Sequence, residues 1–287
     1  SPEVYGNSKE AWFGETTNFD LGLIRFTYEK AAELASELNL HDESKKWQQI
    51  LNEWPDFDVD KETGLTFAPE HPYNHSHRHF SHQIGYHPLG IIDVSKGEKH
   101  RDIIEKTIKS IDEKGSDYWV GYSFSWLGGL KARSFDGEGA AKALKTFATS
   151  FCSSNSFHLN GDQSKTGLSN FTYRPFTLEG NFAFASAIQE MLIQSHTGII
   201  RLFPAIPKSW KDVSFQKLRT EGAFLISAKR EDGKIREVKI EAKEGGTIKL
   251  ANPFEDALFT CSNKYNIENR VITIVIEKGK TAIINKD

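Results

Sequence analysis

Three histidines and an arginine fall within six residues at His77-Arg78-His79-Phe80-Ser81-His82, with Glu70, His71 and His75 just upstream. A globular core has little use for so many titratable side chains, whereas a pocket that grips a hydroxylated or anionic ligand needs them. Arg78 can hold two adjacent hydroxyls or a carboxylate in its planar fork; a structural salt bridge is the plainer use of the same group. On a strand, His75, His77, His79 and His82 would offer imidazoles to zinc, but no cysteine or aspartate completes a clear ligand set. No metal and no cofactor are therefore expected.

A second polar cluster, Tyr173-Arg174-Pro175-Phe176-Thr177-Leu178-Glu179-Gly180-Asn181-Phe182, lies well downstream. Glu179 stands just before a helical stripe, near a helix N-terminus. There it is either a first-turn glutamate favoured by the dipole or a working carboxylate flanked by Tyr173, Arg174 and Asn181. Trp119, Tyr122, Phe124 and Trp126 are either core or a platform on which the apolar face of a pyranose would stack. His77, Arg78, His79, Trp119, Trp126, Tyr173 and Asn181 are thus the candidate binding residues, and the two clusters together make a case for a carbohydrate site. Asp136-Gly137 reads as the end of a helix rather than a catalytic acid.

Helices must carry these residues. Thr17 with Asp20 resembles a capping box, followed at helical spacing by Ile24, Tyr28, Ala31, Leu34, Ala35 and Leu38. Ser95 with Glu98 reads as a second capping box ahead of Ile104, Ile108 and Ile111. Ala140, Ala143, Leu144, Phe147 and Phe151 form a third stripe, and Phe184, Ile188, Met191 and Leu192 a fourth. Long aromatic loops separate them at 54–79, 115–122 and 152–180, and loops of that length in a compact domain are usually functional. After Pro204 and Pro207 the period changes to two. Phe224, Ile226 and Ala228 alternate with their neighbours, Asp232-Gly233 is a hairpin signal, and Val238, Ile240 and Ala242 alternate with charged residues. Val271–Ile276 is apolar or β-branched throughout and reads as a strand buried on both faces. The expected organisation is a helical part over 1–204 and an antiparallel β-domain, a sandwich, over 205–287.

The chain has 287 residues, 38% hydrophobic and 26% charged, the balance of an ordinary globular protein. A net charge of −3 gives no reason to expect nucleic acid or an acidic membrane as partner. Its 12% aromatic content suits sugar binding or a large core. Two cysteines far apart, Cys152 and Cys261, argue against a disulfide framework. No apolar stretch reaches transmembrane length. Starting at Ser1 without methionine, the chain is expected to be processed or part of something longer.

Taken in order, these segments resemble glycoside hydrolase family 95, the inverting α-L-fucosidase family with α-L-galactosidase members. The resemblance rests on Ser1-Pro2-Glu3; Thr16-Thr17-Asn18-Phe19-Asp20; His77 to His82; Gly121-Tyr122-Ser123-Phe124-Ser125-Trp126 with Ala132-Arg133 and Asp136-Gly137; Glu179-Gly180-Asn181-Phe182 with Ala187 to His196; and Leu202-Phe203-Pro204-Ala205-Ile206-Pro207-Lys208-Ser209-Trp210. It covers nearly the whole chain.

The resemblance implies an (α/α)6 toroid, partial in this chain, followed by a C-terminal β-domain. It implies a glycosidase with an oligosaccharide or polysaccharide substrate and a periplasmic or extracellular location. Glu3 would be the general acid, Arg78 and His79 substrate ligands, and Glu179 the counterpart of the family's basic aspartate. An upstream segment of the same polypeptide would supply the water-orienting asparagines. Two departures stand out. Glu179 is one methylene longer than aspartate, and Tyr173-Arg174-Pro175-Phe176 stands where the family has His-Pro-Pro-Phe.

Overall fold

The computed structural model describes residues 13–254 and 257–286; Glu3, the expected acid, lies outside them. The chain divides into two compact units. One comprises the residues to Ser134 with Ala143–Phe184, the other Phe135–Lys142 with the residues from Ala185 on. Among the described residues there are six α-helices: α1 (Asn18–Glu37), α2 (His41–Glu53), α3 (Glu98–Lys114), α4 (Gly121–Arg133), α5 (Gly137–Ser150) and α6 (Glu179–Leu192). None is long and apolar enough to cross a membrane.

The first unit is built on α4. This helix is buried on nearly every side, including Phe124, Leu127 and Leu130. The Ile104–Ile108–Ile111 stripe of α3, Phe147 of α5 and Phe151 just beyond its end join it in one apolar cluster with Phe67, Tyr73, Phe80 and Tyr86 from the loops. Each such side chain contributes roughly 1.5–3 kcal/mol of transfer free energy, which holds the irregular segments against the helices. Gly128 allows the close approach of α5, since a Cβ there would stand 2.7 Å from Leu144. Thr17 caps α1 as its spacing indicates: its Oγ1 accepts the Asp20 N–H at 3.1 Å and donates to the Asp20 carboxylate at 2.7 Å.

Two sequence expectations about caps need correction. Ser95 does not cap α3; it lies inside a 3-10 turn, Val94–Lys96, capped by Asp93, and α3 begins after Gly97 with no side-chain cap. Asp136 starts a helix rather than ending one, because its Oδ1 accepts the Gly139 N–H at 2.8 Å at the head of α5. Both errors come from reading cap residues without knowing which turn they face.

The second unit carries the short strands β3 (Ile193–Gln194) and β4 (Arg201–Leu202); β1 (Val59–Asp60) and β2 (Gly64–Leu65) form a small hairpin in the first. Then come β5 (Val213–Thr220), β6 (Phe224–Glu231), β7 (Lys234–Ala242), β8 (Gly246–Ala251), β9 (Phe259–Cys261), β10 (Tyr265–Glu268), β11 (Val271–Ile276) and β12 (Thr281–Lys286). They form a five-stranded sheet ordered β5-β6-β7-β12-β9 and a three-stranded sheet ordered β10-β11-β8. All their pairings are antiparallel. Ile226, Val238, Ile240, Ala282 and Ile284 of one sheet share an apolar core with Ile248, Leu250, Ile272, Ile274 and Ile276 of the other. Asp232 and Gly233, at φ 48° and 75°, make the β6–β7 turn that their sequence signals. One strand differs from expectation. β11 is buried on one face only: Ile272, Ile274 and Ile276 point inward while Val275 is 68% exposed. β-branched residues mark a strand without stating how many of its faces are covered. The chain is thus mainly α with an antiparallel β-domain.

Candidate active site

The His77–His82 segment is not a strand, so its histidines do not share a face. His75 is exposed beside Asn74, and His82 turns fully into the core, stacked on Tyr73 at 5.2 Å and edge-on to Phe67. Burial pushes the His82 pKa down to about 3. Among the described residues no group of three or more His, Cys, Asp or Glu stands in a metal-binding arrangement. His77 and His79, both half-buried, lie edge-to-face at 5.4 Å. The His79 N–H donates to His77 Nδ1 at 3.1 Å, a shorter contact than the 3.4 Å from that nitrogen to the His79 carbonyl, and this favours the tautomer with the ring proton on Nε2. Burial, with smaller contributions from neighbouring positive groups, lowers the His77 pKa to about 4, so the ring is a neutral donor at physiological pH. The Tyr73 hydroxyl holds this turn, accepting the His77 N–H at 3.0 Å and donating to the His77 carbonyl at 3.1 Å.

Arg78 is fixed through its backbone: the Ser123 hydroxyl, in the first turn of α4, donates to its carbonyl at 2.7 Å. Two residues along the helix, the Ser125 hydroxyl donates to the Gly180 carbonyl at 3.1 Å. One helix end therefore anchors both polar clusters. Glu179, the first residue of α6, is exposed. Its charge reaches Tyr122 of α4, whose phenol pKa is raised first by burial and then by Glu179.

A ladder of backbone bonds delivers Glu179 to this position. The Asn160, Gly161 and Asp162 N–H groups donate to the carbonyls of Pro175, Tyr173 and Phe171 at 3.1, 2.9 and 2.7 Å, and the Gly121 N–H donates to the Asn160 carbonyl at 3.1 Å. Gly161 is required there, because a Cβ would lie 2.6 Å from the Tyr173 backbone. Asp162 is a buried carboxylate, but it accepts the Ser164 N–H and hydroxyl and the Leu168 N–H and so staples its own loop.

The remaining candidates separate. Trp119 is 3% exposed and packs on Phe80 and Phe124, with its indole N–H directed at the Tyr73 hydroxyl. It is a core residue, and the platform role considered for it does not fit that burial. Trp126 is half-buried against Tyr122 and donates its N–H to the His87 carbonyl at 3.3 Å. Tyr173 is 42% exposed beside Phe171. Asn181 commits its amide to backbone: Oδ1 accepts the His158 N–H at 2.9 Å and Nδ2 donates to the Ser156 carbonyl at 2.8 Å. A cleft of about 320 Å³ elsewhere, lined by Arg25, Asp56, Phe57, Lys99 and His100 among others, contains none of the candidates.

His158 is the residue that the sequence did not disclose. It is fully buried, and its Nδ1 contacts the Thr177 carbonyl at 2.9 Å and the Thr177 hydroxyl at 2.8 Å. Its ring fills the space between two helix starts: a Cβ on Gly180 would stand 2.4 Å from Nδ1, and one on Gly121 2.4 Å from Nε2. Burial lowers its pKa, opposed by the Thr177 bond and by Glu179. Glycine at the head of both α4 and α6 was the available signal.

Glu179 thus heads α6, Tyr122 lies in the first turn of α4, and the backbone of Arg78 is tied to that same turn. Residues 1–192 match the glycosyl hydrolase family 95 catalytic domain, and residues 194–284 match the glycoside hydrolase family 95 C-terminal domain. The helices and antiparallel sheets fit that pairing of a helical toroid with a following β-domain. Over 162 residues the chain is 31% identical to alpha-L-fucosidase 2 of Arabidopsis thaliana, an alignment covering 56% of this chain and 18% of that protein. The aligned stretch thus spans less than a fifth of the curated relative. The chain belongs to glycoside hydrolase family 95.

Proposed function

We propose that this chain serves an inverting glycosidase acting on terminal α-L-fucosyl or related α-L-galactosyl residues of oligosaccharides or polysaccharides. The observation that carries the reading is the anchoring of Arg78 and Gly180 to one turn of α4 through Ser123 and Ser125, which places the Glu179 backbone beside that of the arginine cluster. Inversion needs an ionised carboxylate to activate water on one face of the sugar and a protonated one to protonate the leaving oxygen on the other. The two stand roughly 6.5–9.5 Å apart. Glu179 takes the first role. Glu3 takes the second, on the resemblance of its Ser-Pro-Glu segment. Arg78 grips vicinal hydroxyls with its fork, and His77 offers an Nε2–H donor that carries no charge at neutral pH. Asn181 acts indirectly, by holding the loop that abuts the α6 start.

The test is release of nitrophenol from an aryl α-L-fucoside by the full-length protein, beside its Glu179→Gln variant. Turnover in wild type with loss in the variant supports the reading; equal turnover removes Glu179 from catalysis. A second reading, carbohydrate binding without turnover, draws on the extra methylene of Glu179, which displaces the carboxylate by about an ångström relative to aspartate. Calorimetric binding of fucosylated oligosaccharides with no product formed would favour it.

A further inference from the structure

Glu179 opens α6, so no preceding helical turn holds it. The first N–H groups of a helix have no intrahelical partner, and the placement of those residues depends on contacts from outside. One residue supplies such contacts on both sides of the carboxylate. His158 accepts the Thr177 N–H at its backbone carbonyl at 3.3 Å and donates its own N–H to Asn181 Oδ1 at 2.9 Å. Its ring Nδ1 stands 2.9 Å from the Thr177 carbonyl and 2.8 Å from the Thr177 hydroxyl. A carbonyl only accepts, so the tautomer with the proton on Nδ1 makes that contact a hydrogen bond. The ring also lies against Gly180, where a Cβ would fall 2.4 Å from Nδ1, and 5.2 Å from the ring of Phe147 in α5. Thr177, Gly180 and Asn181, which flank Glu179, are therefore all held by one fully buried residue. The far edge of the same ring meets Gly121 at the head of α4, the helix whose Ser123 hydroxyl holds the Arg78 carbonyl.

We propose that His158 is a positioning residue for Glu179, fixing where the carboxylate stands relative to the Arg78 turn through its Nδ1–H bond to Thr177 and its ring against Gly180. This rests on the reading of Glu179 as base. The imidazole is sealed from solvent, so it meets neither sugar nor water and acts only through the backbone it holds. A glutamate on a loosely held helix start would swing with that start, whereas one on a clamped start has only its own rotamers to sample. A misplacement of about an ångström at a reacting group can cost as much as ~100-fold in rate, so the clamp is felt in turnover. Orientation of the attacking water stays with the asparagines that the family resemblance places upstream.

His158→Asn keeps an N–H donor where Nδ1 stands, and His158→Leu keeps the bulk without the donor. Both are made in the full-length protein and checked for folding by circular dichroism. On an aryl α-L-fucoside, His158→Leu is expected to lower kcat on the order of 10-fold or more with KM within about twofold, while His158→Asn stays within about threefold of wild-type kcat. Should His158→Leu not fold, His158→Gln, whose amide reaches the position of Nε2 instead, takes its place. The decisive comparison is made in a Glu179→Gln background. There the His158 substitution is expected to leave the residual rate unchanged, because a residue that acts through the carboxylate has nothing left to position. Losses that multiply in that background overturn the positioning role and leave the base in place. Wild-type kcat in a folded His158→Leu protein does the same, as does His158→Asn no faster than His158→Leu. Full turnover in Glu179→Gln alone, or no hydrolysis by wild type, overturns the reading of the base and the proposal with it.

Discussion

The Asn181 side chain and the His158 backbone are joined across 23 residues by one hydrogen bond of 2.9 Å, and the same amide holds the Ser156 carbonyl at 2.8 Å. A residue that sequence patterning places in the binding set is thereby a clamp between the start of α6 and the loop before it. Two backbone partners, at about 1 kcal/mol net each, give an expected loss of ~2 kcal/mol for Asn181→Ala. Urea unfolding measures it. A loss below ~0.5 kcal/mol, the range of an ordinary surface substitution, would show that the loop holds without the clamp.

Gly180 and Gly121 leave the space that the His158 ring occupies. Gly180→Ala drives a methyl into that ring and is expected to cost about 1–3 kcal/mol, the usual range for overpacking. In a His158→Ala background the same change should be close to neutral, because its obstacle is gone. A double-mutant cycle by chemical denaturation reads the coupling directly. Additive losses would mean that the backbone, not the imidazole, sets the requirement for glycine.

His82 makes folding pH-dependent. Buried against Tyr73 and Phe67, it has a native pKa of about 3, from burial first and the charge of His77 second. The unfolded chain takes up that proton near pH 6.5. Between those values the unfolded state binds more protons, so stability falls as pH drops through the window. The slope approaches ~1.4 kcal/mol per pH unit for this group. His77, held at about 4 by burial, adds to the slope in the same sense. His82→Leu should flatten the pH dependence of the unfolding free energy between about pH 6 and pH 4.5. Superimposable slopes for the two proteins would assign the acid sensitivity to other groups.

Glu179→Asp restores the shorter carboxylate that the family resemblance leads one to expect. If the longer arm suits a different substrate, Asp should match or exceed wild type on an aryl α-L-fucoside while Gln fails, because the base acts in the transition state. Steady-state kinetics of the three proteins decides. Asp slower than wild type on fucosides would show that the site is shaped around the glutamate.

Periodic burial was legible in part: Leu34 and Leu38 of the α1 stripe are 56% and 69% exposed, whereas other stripes turn inward. The Ala140–Phe151 and Ile104–Ile111 stripes are buried as their spacing requires, and the Asp232-Gly233 turn sits where its dipeptide indicates. What was not legible depends on which of several partners, near or distant in sequence, a residue meets in the fold. Ser95 is claimed by Asp93, two residues away and outside the helix it was expected to cap. Trp119 has the composition of a sugar platform, but Tyr73 and Phe80 enclose it. The histidine run looked like one cluster, yet its members scatter from solvent to core because the backbone there is irregular. His158 carried no local motif, and only the approach of α4 and α6 gives it a place.

The backbone ladder that pairs residues 160–162 with 171–175 sets where this protein can tolerate changes in length. Every residue between Phe171 and Glu179 is counted, since adding or removing one would slide the carboxylate along α4 or turn it away. The tip at Lys165–Gly167 is exposed, with φ of 60° at Lys165 and 79° at Gly167, and lies beyond the last rung. A change of length at that tip is therefore expected to leave the position of Glu179 on α6 unaltered.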